Sequence, residues 1–387
     1  MGDVSAGVTA HRRIGGVDTI RGLAAIAVFI CHIQAYWPFM ELPGKLPQLA
    51  EVGAHGVDVF IVISGFCLGL PVVDRTKNLD VRQFFGRRAT RIMPAYWAAL
   101  AIATVLAIAP ATWRSVVAAP ASAWDIIVNA VGLQTVFVPT LGNINGSLWS
   151  VSLEMHLYLV FPVLVIVWRR WGGSVLLLAT AGCTIAWSVL EHRVDFGGPL
   201  SGFVGDRHAL PARLIQFTVG VVMADVIVRH RFRLSRRLSW FAALATGLLA
   251  VAGTTLSVPA SVDTILWSVA GAAIVLLTAH ESRPSVVYRA LEGFGRRTFS
   301  FYLLHQPAIL LMAVAGRNAP GGWIGQLAIG GALTFLVSLL AAECLYRSVE
   351  LPSHRFGQRR FPNVTVRLGG EATTVTQPGD PRDAARR

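Results

Sequence analysis

The chain has 387 residues, 54% of them hydrophobic and 14% charged, with a mean hydropathy of +0.57. Apolar runs long enough to cross a bilayer recur along its whole length, which excludes a soluble domain with one core and reads as an all-α, polytopic integral membrane bundle. The net charge of +13 belongs in such a protein to cytoplasmic loops rather than to nucleic acid, and Cys31, Cys67, Cys183 and Cys344 lie singly in apolar segments, with no CxxC pair to indicate a disulfide framework or a metal site.

Residues 1–16 form a short N-terminal segment carrying His11, Arg12 and Arg13. The run after it, Val17 to Phe39, is too long for a signal peptide and lacks a small-residue cleavage site, so it reads as an uncleaved first span. Arg21 and His32 lie inside that span. A cation at membrane depth costs about 2.5 to 3.5 kcal/mol on insertion scales and is retained for an ion, proton or substrate path. Eleven residues at 100° each make three turns plus about 20°, so the two side chains share one face about 16 Å apart.

Further spans are expected at His55 to Val73, Ile92 to Ala111, Ser147 to Trp168, Ser174 to Leu190, Leu210 to Val228, Ser239 to Ser257, Val262 to His280, Thr298 to Gly316 and Trp323 to Tyr346, about ten in all. Trp124 to Pro139 is the ambiguous piece, short and carrying Asp125, Asn129 and Gln134. If it does not cross, the basic loops, RHRFRLSRR among them, fall on one side, which the positive-inside rule makes cytoplasmic along with both termini. It is then an interfacial or re-entrant element. No internal repeat is visible, which disfavours inverted-repeat transporters. The tail from Phe361 to Arg387 has little to bury and is expected to be disordered or to lie on the membrane surface.

This topology sets His32 and Glu154 each about seven residues, or about 10 Å, below the outer face. An imidazole accepts protons near neutral pH, and a carboxylate beside it would fix its tautomer; the alternative is a structural hydrogen-bonded pair. Arg21 lies towards the inner face with Arg82, Arg87, Arg88 and Arg91. Guanidiniums bind phosphate bidentately, so this set suits a phosphorylated ligand, although any cytoplasmic loop collects arginine. Phosphates at the inner rim with a thin reactive arm reaching towards His32 describe an acyl-coenzyme A. His32 and the arginines are then the two ends of one passage through the helices.

The remaining polar residues carry two readings each. Asp58 pairs with His55, lines an acceptor entrance, or satisfies a helix dipole; His305 lines the donor channel or packs beside Pro307. Glu343 is expected to pair with Arg347 one turn away, and His156 to point away from Glu154. Trp37, Trp113, Trp124 and Trp149 map to the outer interface, as a belt or as sugar-stacking surfaces.

Five motifs in order carry a resemblance: the Arg21 to His32 spacing, GVDVFIVISGF at Gly56 to Phe66, RRATRIMPAYW at Arg87 to Trp97, SLWSVSLEMHLYLVFP at Ser147 to Pro162 and FSFYLLHQP at Phe299 to Pro307. They resemble the acyltransferase family 3 membrane proteins from about Val17 to Pro352. The resemblance implies an acyl-CoA-dependent O-acyltransferase acting on hydroxyls of sugars in cell-envelope glycans or of macrolide-type metabolites, with acyl-CoA as co-substrate and no tightly bound cofactor or metal. It implies that His32 is the essential histidine, Arg21 its partner in the Arg-to-His motif, Arg88 and Arg91 the RxxR pair, and Glu154 the first acidic residue of the SLWSxSxEE pattern; Arg21, Arg88, Arg91 and His305 are assigned to the acyl-CoA side. The second acidic position here is Met155. Asp58 and Trp149 are assigned to the acceptor side. The division expected is an N-terminal segment 1–16, an acyltransferase membrane domain 17–352 and a cytoplasmic tail 353–387, with no esterase-like domain after the last span. The rival from another class is a proton-coupled transporter or flippase whose buried charges form an ion path.

Overall fold

The computed structural model describes residues 16–36, 43–74, 78–108, 121–193, 208–278, 280, 285–315, 321–362, 366–368 and 371–373. Trp37, Trp113, residues 11–13 and most of the tail lie outside them. The helices are α1 (Gly16–Tyr36), α2 (Leu46–Glu51), α3 (Gly56–Gly69), α4 (Val81–Ile108), α5 (Ala123–Ala130), α6 (Trp149–Arg193) and α7 (Leu210–Val228). They continue as α8 (Arg236–Thr255), α9 (Ala260–Leu277), α10 (Val286–Gly295), α11 (Thr298–Ala315), α12 (Gly322–Gly325), α13 (Ala332–Leu345) and α14 (Leu351–Arg360). Within the expected tail, Val366–Leu368 and Glu371–Thr373 pair as two short antiparallel strands, a local structure that the polar composition did not announce.

Among the described residues, eight helical runs are long and apolar enough to cross a membrane. One of them, α6, has 45 residues and is broken at Gly172, whose φ of 88° and ψ of 172° no helix contains. At 1.5 Å per residue it is about 67 Å long, twice the hydrocarbon thickness, so it makes two passes. With α11, a shorter apolar helix, the expected ten passes are all present. Some bounds differ. The second span starts at Leu46 and the last runs to Arg360 through two π-helical stretches. α4 begins at Val81, so Arg82, Arg87, Arg88 and Arg91 stand on its first three turns, not on a loop as expected. Arg88 and Arg91, three apart, share a face. Arg87 turns away and donates to the carbonyls of Phe361 and Pro362 at 3.3 and 3.2 Å.

At the centre α3 packs on α1, α7 and α9. Its crossing with α7 is glycine on backbone in both directions. A Cβ at Gly65 would lie 2.0 Å from the Phe217 carbonyl oxygen, and one at Gly220 would lie 2.0 Å from that of Val62. Lipid supplies no hydrophobic drive between helices, so close packing of this kind is what holds a membrane bundle together.

Trp124 to Pro139 does not cross. A capping box at Ser122 and Asp125 starts α5, and the chain then turns back inside the protein. Its carbonyls are met by side chains: Tyr96 Oη donates to Asn129 O at 2.6 Å, Trp97 Nε1 to Ala130 O at 2.9 Å and Ser152 Oγ to Gly132 O at 2.5 Å. Irregular backbone at membrane depth is tolerated only when it is satisfied in this way. The segment is therefore re-entrant, and it delivers the start of α6 to the interior. Pro307 in α11 lacks the N–H that would bond the Leu303 carbonyl; Asn145 Nδ2 donates to that carbonyl at 3.0 Å instead. Ser147 N donates to Gln306 Oε1 at 2.6 Å beside it. A proline on one helix thus docks the beginning of another.

Candidate active site

His32 and His305 face each other. Their rings are parallel within 9°, with centroids 4.9 Å apart, and His32 Nδ1 lies 2.6 Å from His305 Nε2. His305 is buried, and its Nδ1 lies 2.7 Å from the Tyr302 carbonyl oxygen. A carbonyl can only accept, so His305 Nδ1 carries a proton and Nε2 of the neutral ring accepts. His32 Nδ1 is then the donor of the shared hydrogen bond, and its lone pair is on Nε2. The backbone of α11, through one imidazole, selects the tautomer of the other.

Glu154 is elsewhere, which corrects the expected His32–Glu154 pair. It accepts from Ser64 Oγ at 2.9 Å and from Tyr158 Oη, its neighbour one turn on. The cause is depth: α6 starts level with His305, because Asn145 and Ser147 are tied to Leu303 and Gln306, and not at the outer face as hydropathy suggested. Seven residues further on, Glu154 is about 10 Å below that level. There it lines a small cavity with Arg21, Ser64, Cys67, Arg88, Arg91 and Tyr158. The Arg88 guanidinium lies 5.4 Å from the Tyr158 ring centre and 5.9 Å from that of Phe84, within cation–π range. Three guanidiniums from α1 and α4 thus converge on one carboxylate and one phenol. The cavity holds about 40 Å³, room for a water or two.

His32 does not line this cavity. Between the two levels α1 presents Ala24, Ala25, Val28 and Phe29, all buried. The expected passage is closed by apolar packing.

A third cluster joins Asp58 to Trp149. Asp58 is buried and lies between an imidazole and a guanidinium: His55 Nδ1 lies 2.5 Å from its Oδ2, and Arg213 donates to its Oδ1. The Arg213 guanidinium lies 6.0 Å from the Trp149 ring centre, whose edge-on neighbour is His208 at 4.3 Å. Of the three readings of Asp58, its pairing with His55 is seen, and its place in the first turn of α3 meets the helix-dipole reading too. Trp149, two residues past Ser147, is below the interface and is not part of a belt. Trp267 stacks on His55 at 4.3 Å. Elsewhere, Glu343 pairs with Arg347 as expected and also with Arg297 from α10–α11, and His156 meets Thr135 at 3.3 Å.

Tyr158, Ser64 and Arg213 were not singled out from the sequence, yet two of them left a signal. Tyr158 is one turn from Glu154 on the same face, and Arg213 is a cation inside the apolar run Leu210 to Val228, the same mark that singled out Arg21.

A family profile described as an acyltransferase domain matches residues 14–343. The chain belongs to the acyltransferase 3 family. Acyltransferase MdmB of Streptomyces mycarofaciens is 27% identical, the match covering 92% of this chain and 95% of that protein. O-acetyltransferase OatA of Staphylococcus aureus is 23% identical over 94% of this chain and 61% of its own length. A putative peptidoglycan O-acetyltransferase, YrhL of Bacillus subtilis, is 25% identical over 91% and 56%. The chain thus spans less than two thirds of the last two. No solved structure matches it significantly. The protein is a multi-pass membrane O-acyltransferase.

Proposed function

We propose that this acyltransferase moves an acetyl or other short acyl group from cytoplasmic acyl-CoA to a hydroxyl of a sugar-containing acceptor, a cell-envelope glycan or a macrolide-type metabolite. The observation that carries this reading is the hydrogen bond between His32 and His305, because it leaves the base lone pair of His32 on Nε2. That nitrogen takes the proton of the acceptor hydroxyl as the oxygen attacks the thioester carbonyl. A C–O bond forms, the tetrahedral oxyanion collapses, the C–S bond breaks, and the coenzyme thiolate leaves with the proton that Nε2 held. Arg21, Arg88 and Arg91 supply guanidiniums for the anionic part of the donor, with Glu154 and Tyr158 keeping them ordered. Asp58 and Trp149 flank the acceptor. At about 40 Å³ the arginine cavity has to widen and also to open towards His32 past Ala24, Ala25, Val28 and Phe29, so donor binding parts α4 and α6 from α3 and loosens the packing around α1. The reaction takes place in the cell membrane with both termini cytoplasmic.

The test is to incubate purified protein in lipid with acetyl-CoA, propionyl-CoA and longer acyl-CoAs plus glycan or macrolide acceptors, reading free CoA and mass-shifted product. Direct transfer predicts no acyl-enzyme with donor alone; a hydroxylamine-sensitive label on His32 would replace it with a covalent route. Uptake along a gradient without CoA release would replace it with a transporter.

A further inference from the structure

A second, wider cavity meets these sites only at His55. It is a groove of about 1360 Å³ between α1 and α8, floored by α3 and α9. α8 packs chiefly on α9, so its other face stands off from α1 and leaves the groove open. Along α1 the lining runs from Gly16 to Gln34, about 27 Å at 1.5 Å per residue, close to a full hydrocarbon thickness. Its middle is apolar, with Leu23, Ala27 and Ile30 facing Phe241, Ala243 and Leu244. Its two ends differ. One carries Arg236 and His280, with Arg231 and Arg233 exposed in the turn before α8 and Arg237 exposed in its first turn. The other carries neutral Gln34 and the stacked pair His55 and Trp267, where Asp58 and Asp263 lie against His55 and Asp58 also pairs with Arg213, so no cation there among the described residues is without a carboxylate.

We propose that this groove binds an anionic phospholipid, its phosphate at Arg236 and its acyl chains laid along α1 towards His55. The surplus charge at one end only is what selects this occupant. A zwitterionic lipid brings a cation of its own that offsets much of what its phosphate gains at an arginine turn, and an apolar partner helix would meet a desolvated cation, whereas an anionic lipid's phosphate is paired and its chains fill the apolar length. The bound lipid would form the outer wall of the helix that bears Arg21 and His32, so its occupancy sets how firmly α1 is held.

The experiment uses the full chain, purified in mild detergent and offered equal phosphatidylglycerol and phosphatidylcholine, with native mass spectrometry reading the lipid retained. The expected result is one retained phosphatidylglycerol and a higher thermal midpoint with that lipid than with phosphatidylcholine. Arg236→Gln should lose retention at least fivefold, and Ala243→Phe, which fills the groove without touching the charge, should lose it as well. Arg359→Gln, an exposed arginine on α14, should leave it unchanged. Equal retention of both lipids, retention that survives both groove variants, or co-purification of a lipophilic acceptor in place of phospholipid would each overturn the proposal.

Discussion

His32 and His305 make a two-ring relay whose polarity is set by one carbonyl. Replacing His32 with Ala should lower turnover by about 10²- to 10⁴-fold, the contribution of a positioned base, with the folded fraction unchanged in size-exclusion profiles. His305→Phe should cost on the order of 10²-fold in turnover by freeing the His32 tautomer, and His305→Gln, whose amide oxygen accepts the same hydrogen bond, should recover part of it. Equal activity of the Phe and Gln variants would mean that His305 is packing alone. Glu154 gives the opposite split. If it orders the arginines, Glu154→Gln raises the KM for acyl-CoA several-fold and leaves the pH profile of turnover in place; a shift in that profile with KM constant would restore it to the imidazole. Residue types were readable from the chain here, since a charge inside an apolar run declares itself. Partners were not: His305 looked like a channel or packing residue, and Glu154 looked like the orienter.

At the scale of elements, the re-entrant segment decides where Glu154 falls. Its first turn depends on Asp125, which accepts from Ser122 N at 2.7 Å, Ser122 Oγ at 2.6 Å and Asn143 Nδ2 at 2.8 Å. Burial pushes this carboxyl up, but the hydrogen bonds outweigh it and hold it below the usual carboxylate range. A group depressed in the folded state contributes stability that is complete above its unfolded value, near pH 4, and is lost as the pH falls through its folded value. The protection of the amides across residues 122–146, taken relative to the intrinsic exchange rate at each pH, should therefore be constant from neutral pH down to about 4 and should fall below it. In Asp125→Asn that acid step should be absent. The α3–α7 crossing makes a second demand. Gly220→Leu drives a side chain into the Val62 backbone and should cost about 1 to 3 kcal/mol or more, read as a lowered thermal midpoint in detergent, while Gly247→Leu, with open space around its Cβ, should not.

For the molecule as a whole, ten passes and a one-sided distribution of arginine make orientation testable. The turn at 229–235 and the turn at 256–259 cap opposite ends of α8, which has 20 residues, about 30 Å apart. On intact cells an impermeant thiol reagent should label Leu256→Cys above the native-cysteine background and spare Ser235→Cys, and permeabilisation should expose both. The reverse pattern would put the arginine cavity outside and remove cytoplasmic acyl-CoA as donor.

The number of passes, a Trp124 to Pro139 segment that does not cross, the Arg21–His32 stripe and the family were all legible in the chain itself. The bilayer enforces local rules: an apolar run must cross, a charge within it must be used, and basic loops must sort to one side. What only the tertiary structure decided is which polar groups meet. That depends on depth, and depth depends on contacts between distant segments, above all the carbonyl that Pro307 leaves open and Asn145 takes up 158 positions away in sequence. No hydropathy window spans that distance, so a helix expected to start at the membrane surface starts in its interior, and Glu154 joins the arginines while His32 is left to His305.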